Sequence, residues 1–225
     1  LNIDADHLDY YKDIEHIERA FGQFLSLLPP DGVALGWGED ARVMRLFGKL
    51  SCERRTFGLG RENDYHPEDL SYSDTGCPRY DVVFQGEKLC RVELKVAGSF
   101  NVINSLASFA AAHVAGAPAG EIAASLSHFA GVHRRFEFTG LIDQVKMYHD
   151  YGHNPAEMRA ALSVARQQHP RRLWAVMQPH TYSRVKSLFQ DYLTCTQIAD
   201  YTLVTDIFAA REKDPGDIKA EMIVE

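Results

Sequence analysis

From Lys146 onward the hydrophobic pattern alternates strand, helix, strand, helix, strand, and this order constrains the fold more than any other feature. The strands are expected at about 146–151, 173–177 and 201–206, the helices at about 155–168 and 184–199. Helical crossovers of this length connect parallel strands with a right-handed turn. This half should therefore be α/β with a mostly parallel sheet. Pro155 fits the first turn of its helix, where a missing N–H leaves nothing unpaired.

The front half reads differently. Residues 9–28 form an amphipathic helix, with Ile14, Ile17, Phe21, Phe24 and Leu28 at spacings of three and four. Pro29-Pro30-Asp31-Gly32 stops it. A strand at 33–35, a helix at 41–50 and a strand at 55–59 follow. Residues 63–78 are polar and turn-rich, and 82–84 with 89–94 form a hairpin around Gln85-Gly86-Glu87. Two alanine-rich helices come next: 101–114, with Ile103, Leu106, Ala110 and Val114 on one face, and one aligning Ile122, Leu126 and Phe129. The character changes between Gly131 and Glu137, which divides the chain into residues 1–133 and 134–225. Leu1-Asn2-Ile3 reads as the tail of a strand and 215–225 as a loop entering an unfinished helix. With no methionine at its start, the chain reads as a piece of a longer protein.

Charge and cysteine usage narrow the partners. The sequence has 24 Lys and Arg against 31 Asp and Glu, a formal charge of −7, so no broad basic face awaits nucleic acid or an anionic membrane. No apolar run approaches the roughly 18 residues of a membrane span, and no signal peptide opens the chain. Cys52, Cys77, Cys90 and Cys195 form no C-x-x-C pair. Reduced thiols in a cytoplasmic protein are the expectation.

In open parallel sheets, ligands gather beyond the carboxyl ends of the strands. Three polar clusters are expected there: Asp150-Tyr151-Gly152-His153-Asn154-Pro155, Gln178-Pro179-His180-Thr181-Tyr182-Ser183-Arg184, and Asp206 with Arg211 and Glu212. Arg134 and Arg135, at the boundary, suit a bidentate phosphate or carboxylate clamp, or equally a salt bridge with Glu137. His7 can bind a metal through a ring nitrogen or serve as a surface or capping residue. Asn101 can cap a helix, or join Asn104 one turn on in reading a heterocycle edge. Gly36-Trp37-Gly38-Glu39-Asp40-Ala41 matches G-x-G-x-x-A with Glu62 downstream, a dinucleotide fingerprint or a tight turn into a helix. No G-x-x-x-x-G-K-[ST] loop is present.

Taken in order, six segments resemble the Mur ligase family, the ATP-dependent amino-acid ligases of peptidoglycan synthesis. They are Asn2 to Asp9, Gly98 to Asn104, Gly131 to Glu137, Asp150 to Pro155, Gln178 to Arg184 and Asp206 to Glu212. The resemblance implies that 1–133 is the rear of a central ATPase domain whose Walker loop lies before Leu1. Residues 134–225 would be most of a Rossmann-like closing domain. It implies ATP and Mg2+ as cofactors, UDP-N-acetylmuramate and L-alanine as substrates, and an acyl-phosphate intermediate; a homodimer is left open. By matched position it implies a metal role for His7 and nucleotide roles for Asn101, Asn104, Arg134 and Asp150. Catalytic roles fall to Arg135, His153 and His180, and substrate contacts to Tyr151, His153, His180 and Arg184. The family usually has His at positions 100 and 154, Arg at 181 and Tyr at 208, where this sequence has Phe100, Asn154, Thr181 and Phe208. Those departures keep a second reading open, a non-catalytic module on the ligase fold; the glycine segment keeps a third, a nicotinamide-dependent oxidoreductase.

Overall fold

The structure, a computed structural model, describes residues 1–5, 7–8 and 10–224. Asp6 of the opening segment, Asp9 at the expected start of the first helix, and Glu225 lie outside the described residues. The chain divides into two compact units, Leu1–Ala130 and Gly131–Glu225.

In the first unit, helix α1 (Ile14–Leu25) is shorter at both ends than the expected 9–28 and starts at the first residue of its apolar stripe. Asp13 is extended there, and its carboxylate accepts from His16 N at 2.7 Å, the N-cap bond that fixes a helix start. Ile17 packs with Ile3, Val43, Leu46, Phe47 and Cys52. Residues 1–4 lie outside any strand, contrary to expectation. Ile3 is buried nonetheless, and its N–H is anchored to Asp40 Oδ2 at 3.0 Å.

Strand β1 (Val33–Trp37), helix α2 (Ala41–Phe47), and strands β2 (Glu53–Phe57), β3 (Tyr65–Tyr72), β4 (Pro78–Phe84) and β5 (Glu87–Glu93) follow. The five strands form one sheet in sequence order. The β1–β2 and β2–β3 pairs are parallel, the β3–β4 and β4–β5 pairs antiparallel. Strand β3 occupies the stretch expected to be turns. Pro67 and a register shift between Glu68 and Ser71 hide it. Only Tyr65 pairs with β2, so from Pro67 onward β3 is in effect an edge, where proline is tolerated. Gln85 and Gly86 both have positive φ, 49° and 85°, and close the β4–β5 hairpin, as a two-residue turn of this hand requires.

Helices α3 (Phe100–Val114) and α4 (Ala119–His128) cover this sheet. Their inward face is Val102, Leu106, Phe109 and Ala110 with Ile122 and Ala123, packed on Phe57, Tyr80, Val82 and Val92. The expected stripe through Ile103 and Val114 is rotated by about one residue, and Val114 is exposed. Burying each such large side chain contributes about 1.5–3 kcal/mol.

The second unit opens with a hairpin, β6 (Glu137–Ile142) and β7 (Val145–His149), in a sheet of its own. The strand expected to lead the parallel sheet is thus half of an antiparallel ribbon. Asp143 and Gln144, with φ of 46° and 67°, form the two-residue turn that reverses the chain. A shift between Phe138 and Gly140 breaks the alternation that would have announced β6. Helix α5 (Pro155–Gln167), strand β8 (Trp174–Met177), helices α6 (Tyr182–Ser187) and α7 (Phe189–Tyr192), and strand β9 (Tyr201–Val204) complete the α/β order. The β8–β9 pair is parallel, as expected. The helix expected over 184–199 is broken at Leu188 (φ −114°, ψ 23°). Met158, Met177, Val185, Tyr192, Cys195 and Ile207 fill the core. All four cysteines are free, and no helix among the described residues is long and apolar enough to cross a membrane.

Candidate active site

In the first unit, Asn101 lies inside the first turn of α3 and does not cap it. Its Nδ2 donates to Ala97 O at 2.7 Å, and its Oδ1 accepts from Asn104 Nδ2 at 3.2 Å. The two amides are therefore coupled and tied to the preceding loop, with Asn104 facing solvent. Ser105 Oγ donates to Asn101 O at 2.6 Å and meets Tyr80 OH, also at 2.6 Å, which fixes this turn on β4. His7 is exposed with φ 53°, and its carbonyl accepts from Tyr10 N and Tyr11 N, both at 2.9 Å. Among the described residues no group of three His, Cys, Asp or Glu side chains could enclose a metal ion. Mg2+ takes oxygen ligands and keeps several waters, so the exposed imidazole of His7 could be one donor only in a site completed by water and phosphate oxygens.

The glycine fingerprint is used internally. A Cβ at Gly38 would stand 2.0 Å from Asn63 Oδ1, and one at Gly36 2.5 Å from Phe47. Asp40 Oδ1 accepts from Arg42 N and Val43 N at the start of α2. A protein carboxylate thus fills the place that a pyrophosphate would need, and the dinucleotide reading fails.

The second unit gathers most of the remaining candidates. Arg134 has φ 60° and an exposed side chain. Its N–H donates to Glu137 Oε2 at 2.8 Å and its carbonyl accepts from Tyr151 N at 2.6 Å. Glu137 is held below the usual carboxylate range by that backbone bond and by His133, 2.9 Å away. Neither guanidinium pairs with Glu137. Arg135 reaches Glu157 Oε1 instead, at 3.4 Å. Asp150 is a brace, its two oxygens accepting from Phe136 N at 2.8 Å and Gly152 N at 2.6 Å. Each oxygen so engaged ties two loops together and still has a lone pair to offer. Tyr151 is exposed, with its ring 5.3 Å from that of His153.

Asn154 starts α5 as its N-cap, Oδ1 accepting from Glu157 N at 2.9 Å, while Glu157 Oε2 accepts from His153 N at 3.0 Å. Glu157 thus returns its bond to the N–H one residue before the cap, a variant of the capping box, and this fixes His153 at the helix entrance. Tyr192 OH donates to His153 O at 2.8 Å from the far side. The ring of His153 stands 5.6 Å from that of His180, which stacks on Phe208 at 5.5 Å. Burial, then Arg184 and His153, pulls the His180 imidazole below its ordinary value. Arg184 Nη1 lies 3.1 Å from His180 Nδ1 and 3.0 Å from its carbonyl. Glu212 secures this loop, accepting from Thr181 Oγ1 at 2.7 Å, Ser183 N at 2.9 Å and Ser183 Oγ. Burial raises the Glu212 carboxyl, but these bonds outweigh it and hold the group below its usual range.

The structure thus brings together Arg135, His153, His180 and Arg184, with Tyr151 alongside. Glu157 was not singled out from the sequence, although N-P-A-E just ahead of an apolar helix is a legible capping signal. Tyr192 and the role of Glu212 had no local signal. Chemically, the cluster offers two imidazoles for proton transfer, two guanidiniums for anionic oxygens, and carboxylates that position both.

Residues 1–112 match the Mur ligase middle domain and residues 134–225 the Mur ligase glutamate ligase domain. A UDP-N-acetylmuramate–L-alanine ligase of Acetivibrio thermocellus is 39% identical over the whole chain, and one of Clostridium perfringens 40% identical over 99% of it. The chain spans about half the length of these curated relatives, 48% and 49%. Among solved structures, the UDP-N-acetylmuramate–alanine ligase of Thermotoga maritima aligns over 91% of this chain and 44% of its own, at 25% identity and a TM-score of 0.71. MurF of Acinetobacter baumannii, at 22% identity, shares the fold with a TM-score of 0.76, over 90% of this chain and 45% of its own. With both domain matches in order and relatives alike from end to end, the chain belongs to the Mur ligase family.

Proposed function

We propose that the complete protein containing this chain joins L-alanine to UDP-N-acetylmuramate in peptidoglycan synthesis, through an acyl phosphate. One observation carries this reading: relatives named for that ligation match the chain from end to end at about two residues in five. The gathering of His153, His180, Arg135 and Arg184 in one cluster supports it. Residues 1–133 then belong to the central ATPase domain and 134–225 to the closing domain. The setting is the cytoplasm.

When bound, ATP supplies the phosphoryl group that activates the muramoyl carboxylate, and Mg2+ neutralises phosphate charge. His7 would be the protein's ligand to the metal. Asn101 and Asn104, already coupled, would present one amide edge to the adenine. Arg134 and Arg135 would bind anionic oxygens, Arg135 being held by Glu157 until the substrate arrives. Asp150 keeps the 134–137 segment and the 150–152 loop in register and would contact the nucleotide from there. Arg184 and Tyr151 would position the muramoyl and amino-acid groups.

The test is phosphate release by the full-length protein. Turnover of ATP should require both UDP-N-acetylmuramate and an amino acid, with L-alanine preferred. Release that ignores either substrate refutes the ligase reading. Restoring His at 100 and 154 and Arg at 181 tests the non-catalytic alternative: such a module should gain no activity, and a large gain would sink it.

A further inference from the structure

His153 follows β7 and His180 follows β8, with ring centroids 5.6 Å apart. Each ring has an Nδ1 partner able to play only one role. Tyr151 O lies 3.1 Å from His153 Nδ1, and a carbonyl accepts but never donates. His153 therefore carries a proton on Nδ1. Glu157 Oε2, 3.9 Å from the same nitrogen, favours the same arrangement. Arg184 Nη1 lies 3.1 Å from His180 Nδ1, and a guanidinium donates but never accepts. His180 Nδ1 is therefore bare, and its proton sits on Nε2. The bond from the same Arg184 nitrogen to His180 O at 3.0 Å fixes the contact, and the Phe208 stack holds the ring plane.

We infer that these neighbouring imidazoles are locked in opposite tautomers, so that His153 offers a bare Nε2 as proton acceptor and His180 an Nε2–H as hydrogen-bond donor. Only what the two nitrogens act on rests on the ligase reading. As the amine attacks the acyl carbon and the C–N bond forms, the proton shed by the amine passes to His153 Nε2. The carbonyl oxygen gains negative charge and accepts from His180 Nε2–H, which keeps its proton. When the carbonyl reforms, the acyl C–O bond breaks and phosphate leaves with the electron pair. A neutral imidazole is a competent donor of this kind. Burial, then Arg184 on α6 and His153, disfavour a cationic His180, while the backbone of His180 itself and Glu212 after β9 oppose them. His153 is faced by Glu157 on α5, by Tyr151 and by His180.

Long-range 1H–15N correlation spectra of the chain labelled with 15N-histidine read tautomers directly, with H153Q and H180Q supplying assignments. At mildly alkaline pH, His153 should show a protonated Nδ1 and bare Nε2, and His180 the reverse. Two rings in the same tautomer, or the swapped pair, overturn the proposal. R184M should raise the pH at which His180 takes a second proton; an unchanged titration overturns the arginine contact, and the wild-type spectrum decides the tautomers whether or not R184M folds. In the full-length protein, H153Q should lower kcat by about 10²–10⁴-fold and abolish the acidic limb of its pH profile. H180Q, which keeps a donor near the Nε2 position, should lose less and retain that limb. The opposite pattern reverses the roles and refutes them. Absence of ligase turnover fails the ligase reading alone, because the spectra still decide the tautomers.

Discussion

Ser105→Ala should cost more stability than Tyr80→Phe, although each removes one hydroxyl from the same bond. Tyr80 is fully buried and Ser105 5% exposed. The serine has one proton, directed at Asn101 O or Val102 O, at 2.6 and 2.9 Å, so Tyr80 OH must be the donor in the 2.6 Å contact between the hydroxyls. Burial pushes the phenol far above its ordinary value, and it remains a donor at any working pH. Removing Ser105 Oγ strands that donor in the core at about 1–3 kcal/mol. Removing the phenol oxygen leaves the serine bonded to Asn101 O and forfeits about 0.5–1.5 kcal/mol. With both changes nothing is stranded, so the double variant should cost about 1–2 kcal/mol less than the sum of the singles. The chain has two tryptophans, Trp37 and Trp174, one in each unit. In a W174F background, urea unfolding followed by Trp37 fluorescence therefore reports the first unit. Additive single variants, or a Ser105→Ala cost below that of Tyr80→Phe, would refute the assigned donor.

Arg135→Ala should leave stability within about 0.5 kcal/mol, because the side chain is half exposed and its ion pair long, at 3.4 Å. The full-length protein should nevertheless lose about 2–5 kcal/mol of complex or transition-state stability; unchanged kcat and KM would make Arg135 only a salt-bridge partner of Glu157. Asn154→Ala should destabilise the second unit by about 1 kcal/mol, read from Trp174 in a W37F background, and Asn154→Asp should restore most of it; equal losses would show that capping is not the cause. Glu212 has a depressed folded-state value, so its stabilisation is present above the unfolded carboxylate value and fades as pH falls through the folded one. Glu212→Gln should therefore flatten the acid limb of the second unit's stability curve, and an unaltered limb would show that the Thr181 and Ser183 bonds do not favour the charged form.

What the sequence made legible follows from how local each signal is. Helices α3 to α5 and strands β8 and β9 announce themselves because periodicity and flanking breakers lie within one element. Strands β3 and β6 do not, since register shifts at 68–71 and 138–140 interrupt the alternation that marks a strand. The ribbon of β6 and β7 is hidden for the same reason, and β7 lies outside the parallel sheet its place in the strand order suggests, because pairing is a non-local property. The site shows the same division. His180 and Arg184 follow β8 of the parallel pair and are legible from topology, whereas His153 follows β7 of the antiparallel ribbon and meets them only in the fold, and the bonds that hold these loops reach from Tyr192 and Glu212, 39 and 31 residues away from their partners. Against the family pattern, Asn154 and Thr181 read as lost polar groups. In the fold each has a bond of its own, Asn154 opening α5 beside His153 and Thr181 donating to Glu212 next to His180. Those substitutions preserve the placement of the neighbouring imidazoles while removing a charge or a ring. Their effect should therefore fall on what the cluster binds, and not on whether the two histidines meet.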